Sequence, residues 1–257
     1  MNKMLTVENL GFYYHSEKPL FQQLNIELNQ GDILAILGQN GCGKSTLLDL
    51  LLGIHQPISG TIKAHQSIGF VPQFFSSYFA YTVLDIVLMG RAHHINTFSK
   101  PKARDYEIAM ETLDYMNLTH LIHREFNQLS GGQQQLILIA RAMASECQLM
   151  LLDEPTSALD LANQDIVLSL LQDLVTTRKI TIAFTTHQPN HAVAIANKTL
   201  LMNKENIQFG ETSQILTTEN LTALFHLSML EQQTDYQSVV VTHFIPLYKT
   251  LFNKKEI

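Results

Sequence analysis

The sequence predicts an α/β fold in which helices surround a mostly parallel sheet, with a small antiparallel β region at the N-terminus. Residues 33–38 form a continuously apolar run that ends in glycine, as expected of a strand buried on both faces. Strand character returns at residues 149–152 and 180–185, each time after a segment with helical spacing, and this alternation is typical of a parallel sheet. Apolar and polar side chains alternate over residues 5–14 and 24–28, which predicts two amphipathic strands before the buried one.

The length of 257 residues fits one large domain with a helical insertion. A helix with a leucine-rich side begins near residue 43 or 44. Residues from about 74 to 127 change to helical spacing, and the helix after residue 130 extends the predicted helical subdomain to about residues 74–145. We expect the domain to span residues 1–230 and to leave a short C-terminal tail, 231–257, without a separate regulatory domain.

Composition excludes several classes of protein. The net charge is −6, from 17 Lys and Arg against 23 Asp and Glu, so we expect no nucleic-acid partner. No run of about 18 apolar residues is present, and the N-terminus lacks the apolar stretch of a signal peptide, which predicts a cytoplasmic chain. Cys42 and Cys147 form no C-x-x-C pair, which fits a reducing compartment and argues against a cysteine-built metal site.

A glycine-rich loop lies between the buried strand and the first helix, with the pattern G-x-x-x-x-G-K-S at residues 38–45. Glycines let backbone N–H groups surround phosphate oxygens, and the helix N-terminus adds partial positive charge. Lys44 is expected to reach the β and γ phosphates of a nucleotide, and Ser45 to offer its hydroxyl to Mg²⁺. The alternative is a fortuitous glycine turn, which the flanking strand and helix disfavour. The candidate ATP-binding residues of this loop are Gly38, Gln39, Asn40, Gly41, Cys42, Gly43, Lys44, Ser45 and Thr46.

Two carboxylates follow the apolar run at residues 149–152. A phosphate-binding loop needs an acidic residue at the end of a neighbouring strand to complete its Mg²⁺ site, and Asp153 is placed to supply it. Glu154 comes next and is placed to polarise an attacking water. The alternative is an acidic pair at a helix N-terminus, where negative charge is favoured.

Residues 130–133, Ser-Gly-Gly-Gln, precede another amphipathic helix. Ser130 is a favoured N-cap and glycine is tolerated there, so a purely structural interpretation is open. The same turn at a helix N-terminus is also a second anion-binding site. These residues alone leave both interpretations standing.

Taken in order, the segments GQNGCGKS, VPQ, LSGGQ, LMLLDEP, SALD and the Thr-His pair at 186–187 resemble the motif set of ABC ATPases over about residues 3–225. The resemblance implies a RecA-like P-loop NTPase core with an antiparallel β subdomain and a helical signature subdomain. It also implies ATP hydrolysis with Mg²⁺ as cofactor. One departure is the run Gln134, Gln135 and Leu136, where many members have Arg-Gln-Arg, so two positive charges near the signature helix are absent.

The same resemblance implies roles for individual residues. Glu154 corresponds to the catalytic base, and His187 to the switch histidine that contacts the γ phosphate. Gln73 corresponds to the glutamine that touches Mg²⁺ or the attacking water and joins the core to the helical insert. The implied Mg²⁺ ligands are Ser45, Gln73 and Asp153.

Further matches imply that each ATP contacts two chains. Tyr14 matches the aromatic residue that stacks on adenine, although its neighbour Tyr13 and an ordinary strand tyrosine remain alternatives. The residues that match the contacts to ATP or to the dimer interface of the opposite subunit are Ser130, Gly131, Gly132, Gln133 and Asp160. The implied working unit is a homodimer with two sandwiched nucleotides, and twofold symmetry is usual for such assemblies.

Residues 82–94 are similar to the TVxxxVxxGRxxH stretch of ATPases that serve importers of vitamin B12, iron-siderophores and related metals. The structural alternative is a plain amphipathic helix that stops at Gly90. The stretches GFVPQFFSS, DIVLMGR and LANQDIVLSLL are most similar to ATPases of molybdate and tungstate importers. The implied function is ATP-driven import of a metal-containing solute, with molybdate or tungstate as the first expectation. Importers of iron-siderophore, haem, cobalamin, zinc or manganese, an exporter, and a non-transport ABC ATPase stay as alternatives.

The implied partners are two copies of an integral membrane permease and, indirectly, a periplasmic or extracellular solute-binding protein. They would place the chain peripherally at the cytoplasmic face of the inner membrane. An aromatic cluster directly after Gln73 is a candidate contact for the permease, because aromatic side chains anchor interfaces well. Packing inside the helical insert is the alternative. The cluster consists of Phe74, Phe75, Tyr78, Phe79 and Tyr81.

Overall fold

A six-stranded sheet lies at the centre of the structure. The structure is a computed structural model that describes residues 2–15, 19–76, 78–96, 99–203 and 206–251. In spatial order the strands are β5 (Ile68–Val71), β6 (Leu149–Leu152), β7 (Thr181–Thr186), β3 (Ile33–Gly38), β8 (Lys198–Met202) and β9 (Ile207–Glu211). Neighbouring strands are parallel from β5 to β8, and β9 pairs antiparallel at the edge. Strands β3, β6 and β7 are buried along their whole length, so the predicted buried parallel sheet is confirmed.

A three-stranded antiparallel sheet covers one side of the core, in the order β2 (Phe21–Asn29), β1 (Lys3–Phe12) and β4 (Ser59–Ala64). The alternation that predicted the first two strands matches their burial, with every second side chain facing inward over much of each strand. Strand β4 carries no apolar alternation and was not predicted, because its residues are largely exposed and held by backbone pairing with β1. Helix α1 (Lys44–Leu51) packs its leucines between the two sheets.

The helical insert contains α2 (Val83–Met89), α3 (Ala103–Tyr115) and α4 (Gly131–Ala144). Thr82 begins α2 with a reciprocal pair of bonds: its hydroxyl accepts from the Asp85 N–H, and the Asp85 carboxylate accepts from the Thr82 N–H. Short 3-10 turns at Ala92–His94, Thr119–Leu121 and Phe126–Gln128 connect the helices. The apolar sides of all three helices join the same core as the inner face of the central sheet.

The remaining helices are α5 (Leu161–Arg178), α6 (Pro189–Ile195), α7 (Thr212–Ile215) and α8 (Thr218–Phe225). Helices α5 and α6 lie on the face of the central sheet that also meets the insert. Within the residues that the structure describes, no helix combines the length and apolar character needed to cross a bilayer.

The C-terminal region forms a β-hairpin of β10 (Met229–Tyr236) and β11 (Val239–Pro246), where we expected only a short tail from residue 231. Phe244 is buried, and the Asn190 amide holds its backbone from both sides, donating to the carbonyl and accepting from the N–H. Strand β10 is mostly polar, β11 is apolar but largely unburied, and the turn residues Gln237 and Ser238 both have positive φ without being glycine or asparagine. The usual sequence signal of a hairpin is therefore missing.

Candidate functional site

The loop between β3 and α1 has the backbone of a phosphate cradle. Gly41 and Gly43 have φ of 76° and 103°, in the left-handed region that glycine adopts without strain. Gly38 is needed for close packing, because a Cβ there would lie 2.5 Å from Cys42 Sγ and 2.8 Å from the Met202 carbonyl oxygen. The backbone N–H groups of the loop and of the first turn of α1 can therefore surround an anion.

Two side chains of this loop point away from the nucleotide cleft. Gln39 donates through Nε2 to the Leu224 carbonyl at 2.7 Å, which ties the loop to the end of α8. Gln39 and Cys42 both line a separate cavity on that side of the loop. In this arrangement the candidate ATP-binding residues Gln39 and Cys42 can contact a nucleotide only through their backbone groups.

Lys44 places its ammonium at the centre of the loop and is 6% exposed. Its Nζ donates to the carbonyl oxygens of Gly38 at 2.9 Å and Gln39 at 3.3 Å. The same nitrogen lies 3.3 Å from Glu154 Oε1. A buried positive charge thus faces the site where phosphate oxygens would bind, with a carboxylate beside it.

Glu154 brings three of the predicted residues together. In addition to Lys44, its Oε2 lies 3.4 Å from His187 Nδ1 and accepts from Gln73 Nε2 at 3.3 Å. Its φ is 45°, a strained value for a non-glycine residue and of the kind that is concentrated at functional sites. The carboxylate is nearly buried, while His187 is partly exposed. A water held between these groups would have a carboxylate to take its proton and two neighbours to orient it.

Asp153 is held by two hydroxyl groups. Ser45 Oγ donates to Oδ2 at 2.9 Å, and Thr185 Oγ1 donates to Oδ1 at 2.6 Å. The Thr185 oxygen also accepts the Glu154 N–H at 2.7 Å, so one buried hydroxyl positions both carboxylate residues. Sequence reasoning missed Thr185, whose one signal is that it follows an apolar run and directly precedes the predicted Thr-His pair.

The donor set at this point fits Mg²⁺. A serine hydroxyl and aspartate carboxylate oxygens are the hard oxygen ligands that this ion prefers, and they are already in contact. Gln73 lines the same cleft and can add an amide oxygen. The three predicted ligands are therefore close enough in space to form one site.

A cleft of about 460 Å³ opens over the loop, within the size range of small-molecule sites. Tyr14 lies at its edge, with its hydroxyl 3.1 Å from Thr46 Oγ1 and its ring packed edge-on against Phe12. Tyr13 is not among the residues that line the cleft, which favours Tyr14 as the aromatic contact. The lining residues are Tyr14, Leu20, Asn40, Gly41, Gly43, Lys44, Ser45, Thr46, Gln73 and Glu154.

The predicted signature residues form the start of α4 and are not among the residues that line this cleft. Ser130 caps α4, with its hydroxyl accepting the Gln133 N–H and the Gln133 side chain accepting the Ser130 N–H. A Cβ at Gly132 would lie 2.4 Å from Asn163 Oδ1, so a larger residue there would displace the Asn163 side chain. Asp160 caps α5 and binds the side-chain amide of Asn163, so the two predicted segments meet through a residue that sequence reasoning missed.

Gln134, one of the departures from the usual arginines, has its own structural role. Its Nε2 donates to the carbonyl oxygens of Phe126 at 3.1 Å and Leu129 at 3.3 Å. The neutral amide fixes the loop that leads into Ser130. The missing positive charge at this position is therefore replaced by hydrogen bonds.

His191 packs behind the site in the first turns of α6. Its ring nitrogens face Thr156 Oγ1 at 3.1 Å and Gln164 Oε1 at 3.2 Å. Burial, with a smaller contribution from His187, lowers the pKa of His191 below its usual value. A neutral imidazole thus connects the segment after Glu154 to α5 and α6.

The sequence profile of the family described as ABC transporter matches residues 21–157. The chain is 74% identical to the molybdate import ATP-binding protein MolC of Haemophilus influenzae, over 98% of this chain and 99% of that one. It is 35% identical to a probable iron chelatin transport ATP-binding protein of Helicobacter pylori, over 86% of this chain and 92% of the relative.

Solved structures show the same fold. One, described as an inward-facing conformation of a metal-chelate type ABC transporter, contains a chain with 74% identity and a TM-score of 0.94, covering 98% of this chain and 100% of that one. Another is the dimeric ATP-binding cassette MJ0796 in a post-hydrolysis state with ADP and Pi. Its identity is 25% and its TM-score 0.69, over 81% of this chain and 99% of that one.

Proposed function

Since this chain belongs to the ABC transporter family and is one of its ATPase subunits, we propose that it energises the import of a metal-containing solute, molybdate or tungstate. The observation that carries the hydrolytic part is the convergence of Lys44, Gln73 and His187 on the Glu154 carboxylate. The identity of 74% over nearly the whole chain supports the choice of cargo. Importers of other metal-containing solutes are the second candidates, favoured by relatives such as the iron chelatin ATPase.

ATP fits the cleft with its base against Tyr14 and its phosphates in the glycine loop. Lys44 then contacts the β and γ phosphates, while backbone N–H groups of the loop bind the remaining phosphate oxygens. Ser45, Asp153 and Gln73 would hold Mg²⁺. The chemistry that the ion would supply there is neutralisation of negative charge on the phosphates.

Hydrolysis needs a water aligned with the γ phosphate and a group to accept its proton. Glu154 supplies the carboxylate, and Thr185 fixes its backbone by accepting the Glu154 N–H. His187 and Gln73 contact the same carboxylate and are placed to orient the water and to contact the γ phosphate. Positioning and electrostatic stabilisation are what phosphoryl transfer requires of a protein.

The site is complete only when a second chain contributes. Ser130, Gly131, Gly132 and Gln133 form the N-terminus of α4, an anion-binding geometry that does not reach this chain's own cleft. A homodimer places that turn over the ATP of the partner, with Asp160 at the interface. The dimeric state of the MJ0796 cassette with ADP and Pi supports this arrangement. ATP binds the closed dimer better than the open one and shifts the equilibrium toward closure.

The helical insert offers a surface for a membrane permease, of which the ATPase dimer would bind two copies. The aromatic cluster divides into two parts: Phe75 packs against Phe126 and Arg141, whereas Phe74, Tyr78 and Phe79 are exposed. A neighbouring groove of about 600 Å³, the insert groove, is lined by Tyr81, Asp85, Leu88, Met89, Ala92, Ile95, Asn96, Ser99, Pro101 and Tyr106. Exposed aromatic and apolar side chains beside a groove are suited to a short segment of a partner protein.

Binding to the permease would hold the chain peripherally at the cytoplasmic face of the inner membrane. A periplasmic or extracellular solute-binding protein would act only through the permease. This assembly gives the ATPase no contact with the cargo. The specificity for molybdate or tungstate would therefore reside in the partners.

The deciding experiment is purification with the permease, followed by ATPase and uptake assays with molybdate, tungstate, a ferric siderophore and cobalamin. Uptake of molybdate or tungstate that requires ATP supports the proposal. Uptake of only a siderophore or cobalamin would contradict the proposed cargo but would still support the transport function. Solute movement in the opposite direction would indicate an exporter. Full activity with partners but without any membrane protein would indicate a non-transport ATPase.

A further inference from the structure

We propose that Arg91 is a positioning residue that locks the insert groove to the signature helix, so that a displacement at the groove is delivered to Ser130. This inference rests on the proposed function, because it assigns the route by which a permease bound at the groove would act on the ATP site. Arg91 is not among the described residues that line the catalytic cleft.

Arg91 joins the ends of three helices through one buried guanidinium group, which is 4% exposed. Its Nε donates to Asp105 Oδ1 in the first turn of α3 at 3.2 Å. Its Nη1 donates to the Ala144 carbonyl at the end of α4 and to Glu146 Oε2, both at 2.7 Å. Only a planar, multidentate cation can make these contacts together.

The acidic partner of this contact stays ionised. The Lys102 N–H donates to Asp105 Oδ2 at 2.8 Å, and this bond, together with the Arg91 guanidinium, lowers the pKa of Asp105. The carboxylate therefore keeps its charge over the working pH range. Arg91 sits directly after α2, so the contact fixes α2, α3 and α4 at one point.

Gly90 provides a second, independent link between α2 and α4. A Cβ at this position would lie 2.0 Å from the Arg141 carbonyl oxygen, so the end of α2 lies against the backbone of α4. The φ of Gly90 is −61°, an ordinary helical value, so the glycine is required by packing and not by a left-handed turn. The packing of Gly90 and the contacts of Arg91 therefore explain the G-R pair at residues 90–91, which a simple helix stop would not explain.

The insert groove extends along α2, and the Arg91 contact lies just beyond the C-terminal end of that helix. Tyr81, Asp85, Leu88 and Met89 line the insert groove at α2, and Tyr106 lines it at α3. Helix α4 runs from the Arg91 contact back to its N-cap, Ser130, over 14 residues and about 21 Å. Helix α4 packs along its side against α2 and α3, so we expect the three helices to move together.

The test replaces Arg91 by Lys, which keeps the charge but cannot contact Asp105 and Ala144 at once. The matched control is Arg104→Lys, an exposed arginine of α3 whose ion pairs among the described residues are with neighbouring glutamates. The complex with the permease is reconstituted in vesicles, and molybdate taken up per ATP hydrolysed is measured beside the affinity for MgATP. We expect uptake per ATP to fall about fivefold or more in Arg91→Lys, the usual scale of coupling between sites, with MgATP affinity unchanged. An unchanged ratio, or an equal loss in the control, would overturn the proposal.

A milder variant covers the case in which Arg91→Lys does not fold. Glu146→Gln weakens one contact of Arg91 by removing the carboxylate charge at a half-exposed position, and a drop in uptake per ATP of about twofold supports the proposal. No drop overturns it. If the wild-type complex takes up no molybdate, the proposed function fails. The proposal on Arg91 is then tested by a measurement that needs no cargo. In the Glu154→Gln background, Arg91→Lys is then expected to weaken ATP-dependent dimerisation about fivefold, and unchanged dimerisation overturns it.

Discussion

Lys44 Nζ lies 3.3 Å from Glu154 Oε1, which pairs the lysine of the phosphate-binding loop with the candidate base. Both side chains are nearly buried, so water screens this attraction little. A γ phosphate bound by Lys44 would compete with Glu154 for the ammonium and free the carboxylate for an attacking water. ATP binding and activation of the base are thus linked through one group.

Glu154→Gln is expected to bind MgATP, to dimerise stably and to hydrolyse ATP at least about a hundredfold more slowly, the lower end of the contribution of a general base. The amide keeps the size of the side chain but cannot accept the proton. Steady-state ATPase assays and size-exclusion chromatography with ATP measure the two effects. Glu107→Gln, at an exposed carboxylate of α3, is the control and should behave as wild type. Turnover at the wild-type rate would show that Glu154 is not the base.

Thr185→Val is expected to reduce hydrolysis and stability, whereas Thr185→Ser should preserve both. Valine has the same shape but leaves Asp153 Oδ1 and the Glu154 N–H without the hydroxyl that each now contacts. Loss of a buried hydrogen-bond partner costs about 1–3 kcal/mol. Thermal unfolding gives the stability change, and ATPase activity as a function of Mg²⁺ concentration shows the effect on the metal site. Equal stability and ATPase activity of the valine and serine variants would show that the Thr185 hydroxyl does not have this role.

The sequence predicted those parts of the site in which backbone chemistry restricts the residue type. Gly41 and Gly43 have positive φ, and Lys44 and Ser45 follow them at a helix N-terminus. The requirements of phosphate binding therefore explain both the sequence pattern and the geometry of the loop. Thr185 escaped prediction because a threonine in a strand has many roles, and only its contacts to Asp153 and the Glu154 backbone single it out.

The same reasoning explains the elements that were missed. Strand β4 and the C-terminal hairpin are largely exposed and gain their structure from backbone pairing, with Phe244 as a buried anchor of the hairpin. The hairpin turn at Gln237 and Ser238 lacks the residues that usually mark such a turn. The role of Gly90 also needed the structure, because its close contact is with a helix about fifty residues later in the chain.

Tyr14→Ala is expected to weaken ATP binding about tenfold, because stacking of an aromatic ring on a base contributes about 1–3 kcal/mol. Tyr14→Phe should bind ATP nearly as well as wild type, since the ring is kept and only the contact to Thr46 is lost. Fluorescence titration with an ATP analogue measures the affinities. Tyr13→Ala is the matched control. A larger loss in Tyr13→Ala than in Tyr14→Ala would assign the adenine contact to Tyr13.

Low pH is expected to destabilise the chain partly through His191. Its pKa is lowered in the folded state, chiefly by burial, so the unfolded chain binds this proton more readily than the folded one. Stability is therefore unaffected by this group above about pH 6.5, and it falls as the pH drops from there through the folded-state pKa. Urea unfolding at pH 7.5 and 5.5 should show a smaller loss in His191→Gln than in wild type. His120→Gln, at an exposed histidine, should keep the wild-type loss, and identical losses in all three would contradict the role of His191.

Tyr78→Ala and Phe75→Ala should separate binding of the permease from packing of the insert. Tyr78 is fully exposed, so its loss is expected to weaken co-purification with the permease while leaving the unfolding temperature unchanged. Phe75 packs edge-on against Phe126 at 5.5 Å and lies under the Arg141 guanidinium at 4.9 Å, so its loss should cost about 2 kcal/mol of stability. Pull-down with the permease and thermal unfolding of the isolated chain give the two readouts. If Tyr78→Ala retains the permease fully, the exposed aromatic side chains are not the contact, and the insert groove alone must provide it.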